Sequence, residues 1–119
     1  MKTYISTPPD NVKVYRALLT QSITDDPTAT VLENTLGGTV VWTRDNTGRY
    51  DGTLAGAFAT GTTAPIELTG KWDKDGLGVV SGAKLDADTY RLDTWGFTDI
   101  TSHDDGVLYN TRIEILVYP

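Results

Sequence analysis

The sequence predicts a single all-β domain, an antiparallel β-sandwich or jelly roll of about eight strands. Its acidic residues are the first sign, because thirteen of the sixteen are Asp, which favours turns, and only three are Glu, which favours helices. The twenty Thr and twelve Gly residues are the second, since β-branched Thr suits pleated strands and Gly suits the turns between them. The third is the regular spacing of short apolar segments between turn residues, which is typical of sandwiches and jelly rolls rather than of βαβ proteins.

Length and charge limit the possible functions. The 119 residues fit one domain, which we place at residues 12–119 after an extended lead-in at residues 1–11. The sequence contains no cysteine, so disulfides, thiolate zinc sites and a cysteine nucleophile are excluded. A net charge of -6, with ten basic residues scattered singly, argues against nucleic acid as a partner. No signal peptide is expected from the first residues, and no apolar run approaches the ~20 residues of a membrane helix.

Residues 12–21 are the first predicted strand. A strand whose two faces are both largely apolar is central in its sheet or covered on both sides. A helix capped by Asp10 or Asn11 is the alternative, because Tyr15 and Leu19 also lie four residues apart. In the strand interpretation, one face carries Tyr15, Ala17 and Leu19 and the other carries Val14, Arg16 and Leu18.

A β-hairpin is predicted after a short extended segment at residues 29–33. Residues 39–44 form its first strand and residues 49–58 its second, with Tyr50, Leu54 and Phe58 on one face. The four residues between the strands have the chemistry of a hairpin loop, and Gly48 is placed to take a positive φ. On backbone grounds we expect Gly48→Val to destabilise the domain and Gly48→Asn to be much milder.

The second half of the chain supplies four more predicted strands. Residues 66–72 alternate between apolar and polar side chains, and residues 77–81 return as a short strand after a tight turn. Residues 89–95 follow, with a continuation over residues 97–101 beyond a bend at Gly96. The closing strand is predicted at residues 108–118, where Ile113, Ile115 and Val117 lie opposite Arg112, Glu114 and Leu116.

Three acidic pairs have the oxygen chemistry that a hard cation such as calcium prefers. We favour the interpretation that these residues form turns and add solubilising charge, and so we predict no metal site. Asp73-Lys74-Asp75-Gly76 resembles the start of an EF-hand loop, but the twelfth position is Lys84 and offers no bidentate carboxylate. The pairs are Asp73 with Asp75, Asp86 with Asp88, and Asp104 with Asp105; the first and third are the metal candidates that we retain.

Neither the histidine nor the aromatic residues give a catalytic motif. His103 is the only histidine, so catalytic triads and two-imidazole metal sites are poorly supplied. Trp42 and Trp72 alternate with polar residues and are predicted core residues. Trp95, at a bend, is the candidate for stacking against a ligand. No glycine-rich segment has phosphate-loop spacing, so no cofactor is predicted.

Several segments resemble a group of small uncharacterised proteins encoded by marine bacteriophages and by phage-carrying bacteria, often Bacteroidetes. The resemblance covers most of the chain and weakens between residues 60 and 104; it implies a virion or phage-associated accessory protein and carries over no catalytic residue. Gly48-Arg49-Tyr50 is also similar to an inner-strand motif of C1q-type jelly-roll heads, which implies a trimer. The segments that carry the first resemblance are residues 13–22, 29–37, 41–44, 47–50 and 110–119.

The function expected from these observations is that of a non-enzymatic structural or interaction module, a phage virion-associated or accessory protein acting as a homo-oligomer. A trimer is favoured, and other virion proteins or surface glycans are the possible further partners. Apolar strand faces at residues 12–19 and 116–118 are the surfaces that a neighbour would cover. The alternative is a carbohydrate-binding module assisted by calcium. The expected location is the virion or the bacterial cytoplasm, with neither nucleic acid nor membrane as a partner.

Overall fold

The computed structural model describes residues 12–59, 78–96 and 102–119, and within them the chain forms seven strands in two antiparallel sheets. One sheet has the order β2-β1-β7 and the other β3-β4-β6-β5. The predicted all-β sandwich is confirmed. The strand predicted at residues 66–72, the lead-in at 1–11 and the continuation at 97–101 lie outside the described residues. The strands are β1 (Lys13–Thr20), β2 (Thr28–Asn34), β3 (Val41–Asn46), β4 (Arg49–Thr53), β5 (Gly78–Asp86), β6 (Thr89–Gly96) and β7 (Thr111–Val117).

The core lies where the apolar faces of the two sheets meet, and period-two alternation selects its residues. Along β7 every second residue is buried, and β6 shows the same alternation from Tyr90 to Thr94. The positions between the buried ones are partly exposed and mostly polar or charged, so each strand presents one face to the core and one outward. The core comprises Tyr15, Ala17 and Leu19 of β1, Trp42 of β3, Tyr50 of β4, Val80 of β5, Tyr90 and Leu92 of β6, Ile113, Ile115 and Val117 of β7, and Leu36, Val40, Phe58, Val107 and Leu108 from the connections.

Residues 13–20 form a strand, and the helix alternative is wrong. β1 pairs with β2 on one side and with β7 on the other, so it is the central strand of its sheet, as its two faces predicted. On its outer face Arg16 forms ion pairs with Glu33 of β2 and Glu114 of β7. In each of the two strand pairs an acidic side chain lies opposite the Arg16 guanidinium, and this attraction favours the observed register.

The hairpin is confirmed, with a tighter connection than the sequence predicted. β3 continues to Asn46, and the turn consists of Thr47 and Gly48, because a register shift after Arg44 absorbs one residue of the expected loop. Gly48 takes the predicted positive φ, at 63°.

The predicted second arm of the hairpin, residues 49–58, is too long. β4 ends at Thr53, and the chain then turns, with Ala57 N–H donating to the Leu54 carbonyl and Gly56 at a φ of 70°. The β5–β6 turn holds this segment, since the Asp88 carboxylate accepts from Gly56 N–H at 2.7 Å. Phe58 still enters the core at 0% exposure, but it arrives from the turn rather than along a strand.

The closing strand is three residues shorter at its start than predicted. β7 begins at Thr111, whereas Val107 and Leu108 are buried in the loop that precedes it. Gly106 and Asn110 both have positive φ in this loop, so the backbone there departs from an extended strand.

Candidate functional site

The most densely bonded polar cluster lies at one end of the sandwich, where the β3–β4 turn meets the loop of residues 102–108. At its centre the Asp105 carboxylate accepts from the Arg44 guanidinium, with Nη2 at 2.8 Å and Nε at 3.2 Å. It also accepts from Gly48 N–H at 2.9 Å and from the Tyr50 hydroxyl at 2.6 Å. One side chain of the loop therefore binds two strands and the turn that joins them.

Gln21, at the end of β1, extends this cluster to the other sheet. Its side-chain oxygen lies 2.8 Å from the Tyr50 hydroxyl oxygen and accepts from Gly106 N–H at 2.8 Å. Its side-chain nitrogen donates to the carbonyls of Ile23 and Asp25, both at 3.0 Å. Because Gln21 is only 3% exposed, these bonds connect the two sheets in a place that water barely reaches.

The charges in this cluster are fixed at neutral pH. Burial acts to raise the pKa of Asp105, but hydrogen bonds from Arg44, Tyr50 and Gly48 outweigh it and hold that pKa below its ordinary value. Burial, together with the adjacent Asp105 carboxylate, raises the pKa of Tyr50 far above the ordinary value for a phenol. A carboxylate already occupied by these donors has little capacity left for a cation or a proton, so the cluster is suited to holding the loop in place.

The other acidic candidates in the described residues are engaged in turns or exposed. The Asp86 carboxylate accepts from Asp88 N–H at 2.9 Å, as expected of turn-forming residues. Asp104 is exposed, and its backbone pairs with Thr94 through two bonds of 2.9 and 2.6 Å. Asp73 and Asp75 lie outside the described residues. Within the described ranges, no three His, Cys, Asp or Glu side chains converge as metal ligands would.

The outer face of the four-stranded sheet carries a ladder of ion pairs across β4 and β6. Arg49 Nε lies 3.0 Å from Asp93 Oδ1, and Arg91 Nε lies 2.8 Å from Asp51 Oδ1. Arg91 also reaches Asp45 of β3 at 3.5 Å. Sequence reasoning missed this ladder, although the alternation of Arg and Asp on two adjacent strands was the signal that would have revealed it.

Trp95 ends this ladder on the outer face, next to His103. The two rings lie 4.8 Å apart between centroids at 32°, and His103 Nε2 lies 3.2 Å from Asp93 Oδ1. Trp95 is partly exposed and pairs across the strands with Val79, which is 40% exposed. The structure thus places the predicted stacking residue at the surface, beside an imidazole and a carboxylate that the sequence did not connect to it.

The other tryptophans divide between the core and the part of the chain that is not described. Trp42 is buried, as predicted, and its indole N–H donates to the Tyr15 hydroxyl at 3.0 Å. Trp72 lies outside the described residues.

β2 is an edge strand whose seven residues are all exposed. Val31 and Leu32 are 49% and 55% exposed, although β2 pairs along its length with the central strand β1. The apolar surface expected on β1 and at the end of β7 is smaller than predicted, because Leu18 and Leu116 are half-buried. The main exposed apolar segment of this sheet is therefore β2, which sequence reasoning treated only as a short extended segment.

Comparison of the chain with protein-family models, with curated protein sequences and with solved structures finds no match. Among the described residues, no helix is long and apolar enough to cross a membrane. What these surfaces bind is therefore inferred from their own geometry and charge.

Proposed function

We propose that this chain is a non-enzymatic interaction module that acts as a homo-oligomer, in the structural or accessory role that the likeness to phage-encoded proteins implies. The observation that carries the proposal is the exposure of β2. A seven-residue edge strand with Val31 and Leu32 about half exposed offers both backbone hydrogen-bonding groups and apolar surface to a neighbour.

The use of charged groups also supports a binding role over a catalytic one. Asp105 is bonded by Arg44, Tyr50 and Gly48, and Arg91 is held by Asp51, so these groups stabilise the scaffold. General acid–base catalysis requires a group that is free to take or give a proton at the substrate. The Asp105 carboxylate and the Tyr50 phenol instead have pKa values displaced away from neutral pH in opposite directions.

The proposal is tested by measuring the mass of the chain in solution. Light scattering after size-exclusion chromatography, over a hundredfold range of concentration, is expected to give a mass at least twice that of the 12.9 kDa chain. A mass that stays at the monomer value at the highest concentration would refute the homo-oligomer.

The second candidate is carbohydrate binding, and the position of Trp95 favours it. A partly exposed indole beside His103 and Asp93 combines a flat apolar surface with polar groups, which is the composition that sugar rings require. The Arg49 guanidinium, bound to the same Asp93 oxygen, would add a donor for sugar hydroxyl groups.

Tryptophan fluorescence titrated with a panel of polysaccharides, with and without Ca²⁺, tests this candidate. A saturable change in the natural chain that is lost in Trp95→Ala supports it. Trp42 serves as an internal control, because it is buried and should not respond to a surface ligand. If no polysaccharide changes the emission, carbohydrate binding at Trp95 is wrong.

A further inference from the structure

The outer edge of β2 has backbone groups that point away from the sheet. The Val14 carbonyl of β1 accepts from Thr35 N–H at 2.8 Å, which shows that the backbone of Val14 faces β2. Alternate residues of a strand face the same neighbour, so Arg16, Leu18 and Thr20 face β2 as well. Gln21 N–H donates instead to the Leu108 carbonyl at 3.0 Å, on the opposite side, as this alternation requires.

The register then identifies which residues of β2 are turned outward. Arg16, Leu18 and Thr20 pair with Glu33, Thr30 and Thr28, so the backbones of those three residues face β1. Ala29, between Thr28 and Thr30, directs its N–H and C=O groups away from β1, and so does Val31, which follows Thr30. Leu32 is the extra residue of a β-bulge, because the register shifts between Arg16 and Ala17. Among the residues that the structure describes, no strand pairs with that edge.

We propose that this edge binds the same edge of a second copy of the chain. In the proposed interface the two β2 strands run antiparallel about a two-fold axis at Thr30, and Ala29 of each copy lies opposite Val31 of the other. The inference rests on the self-association proposed above and names the surface responsible for it. Both members of each Ala29–Val31 pair have outward-facing backbone groups, so each pair can exchange two hydrogen bonds.

Side chains are compatible with this register. Glu33 is the only charged residue of β2, and the register places it opposite Pro27 of the other copy rather than opposite a second acidic residue. Arg16 of the same chain, which also pairs with Glu114, already pairs with Glu33 and offsets part of its charge. Pro27 has no N–H group, so nothing is lost where the paired segment ends. The facing Thr30 residues form a Thr–Thr pair, a favourable combination across strands.

The same register removes apolar surface from water. Val31 pairs within its own sheet with Ala17, which points into the core, so Val31 lies on the core-facing side of the sheet and yet is 49% exposed. In the proposed pair Val31 packs against Ala29 of the other copy on that side. The two three-stranded sheets would become one continuous six-stranded sheet.

The symmetry of this contact predicts a dimer. A two-fold interface uses the same patch on both copies and is closed once two chains have met, whereas a trimer needs a head-to-tail contact between different patches. The proposed dimer differs from the trimer that the Gly48-Arg49-Tyr50 motif implied, and the mass of the chain in solution decides between them.

A disulfide test fixes the register, and the chain is suited to it because it has no native cysteine. In Thr30→Cys the two facing Cα atoms would lie about 4.5 Å apart, as in a non-hydrogen-bonded pair, which is within reach of a disulfide. In the matched control Thr28→Cys the two positions would lie about 13 Å apart along the strands, too far to bridge. Under mild oxidation, Thr30→Cys is expected to give nearly complete covalent dimer and Thr28→Cys only background.

A second pair of variants tests the surface without a covalent bond. Val31→Lys adds a charge to each side of the proposed contact and is expected to weaken dimerisation about tenfold or more. Val41→Lys is the matched control, since Val41 is also an exposed valine on an edge strand, at 57%. Circular dichroism checks that both variants retain the β fold.

The outcomes separate this inference from the proposed function. If the natural chain is a strict monomer, both fail. If it associates but Val31→Lys associates equally well, or if Thr28→Cys cross-links as readily as Thr30→Cys, the β2 contact is wrong and self-association stands. A trimeric mass would likewise overturn the two-fold contact alone.

Discussion

Gly48 is the position at which a single added methyl group has the most predictable cost. It is buried at a φ of 63° in the β3–β4 turn. A Cβ atom there would lie 2.6 Å from both the Thr94 carbonyl oxygen and the Asp104 backbone nitrogen, and 2.8 Å from the Asp104 carbonyl oxygen. These are backbone atoms, and hydrogen bonds between Thr94 and Asp104 hold them in place, so they cannot move aside as a flexible side chain would.

Two costs add for Gly48→Ala. The left-handed conformation costs a residue with a β-carbon about 1–2 kcal/mol. Forcing an atom into a filled site costs a further ~1–3 kcal/mol. The total is about 2–5 kcal/mol, a large part of the ~5–15 kcal/mol that stabilises a typical domain. Gly56→Ala is the matched control, because Gly56 has a φ of 70° but nothing within 4 Å of its Cβ position, so it carries only the first cost.

Urea unfolding of the natural chain and the two variants measures both costs. We expect Gly48→Ala to lose at least about twice as much unfolding free energy as Gly56→Ala, with unchanged slopes against denaturant. The structure also removes the tolerance for Gly48→Asn that backbone reasoning predicted, because Asn carries the same Cβ atom. Equal losses at positions 48 and 56 would refute the close approach of Thr94 and Asp104 to the turn.

Three further predictions concern buried polar groups. Tyr15→Phe leaves the buried Trp42 indole N–H without its acceptor and should cost about 1–3 kcal/mol in urea unfolding, whereas a cost near zero would mean that the bond contributes nothing. Burial raises the pKa of Tyr90 to about 12, so stability should fall above about pH 10, where the unfolded chain ionises first. The tyrosinate absorbance that belongs to Tyr90, taken as the difference from Tyr90→Phe, should rise only with unfolding. Asp105→Asn weakens the charged bond to Arg44 and should lower the unfolding free energy by about 2 kcal/mol at pH 7. Because folding lowers the pKa of Asp105, its charge stabilises the folded chain fully above about pH 4 and progressively less as the pH falls further. The loss of unfolding free energy in Asp105→Asn, measured by urea unfolding, should therefore shrink below about pH 4.

Strand alternation made much of the fold predictable. Ile113, Ile115 and Val117 are buried as their spacing predicts, and Tyr90 and Leu92 behave in the same way. Each of these strands has one face on the core and one face outward, and alternation of apolar and polar residues with a period of two indicates this arrangement.

The same periodicity failed after Thr53. Phe58 continues the four-residue spacing of Tyr50 and Leu54 and is buried, as that spacing predicts. However, a turn at Gly56, and not a continuous strand, brings it to the core. The spacing and burial of an aromatic residue do not show which backbone path brings it to the core. The Asp88 carboxylate, far along the chain, stabilises that turn, and its role is invisible to local pattern.

The polar cluster was beyond sequence reasoning for a related reason. Asp105 appeared as one of three acidic pairs with turn chemistry, and nothing local distinguishes it from Asp104. Its partners Arg44, Gly48 and Tyr50 lie more than fifty residues away in sequence, and only the packing of the two sheets brings them together. Identifying such a contact requires the register of the hairpin and the path of the loop at once.

In the part of the chain that the structure describes, the edges of the two sheets differ in how they are protected, and that difference is the strongest argument for a role of β2. Natural edge strands are commonly guarded by charged side chains, which oppose pairing with another chain. β3 carries Arg44 and Asp45, β5 carries Lys84 and Asp86, and β7 carries Arg112 and Glu114. β2 carries Glu33 alone, already paired with Arg16. A chain with a net charge of -6 thus leaves one edge almost without charge, and that edge also exposes Val31 and Leu32. Because such an edge can pair with a second strand, its lack of charge supports the β2 contact that we propose.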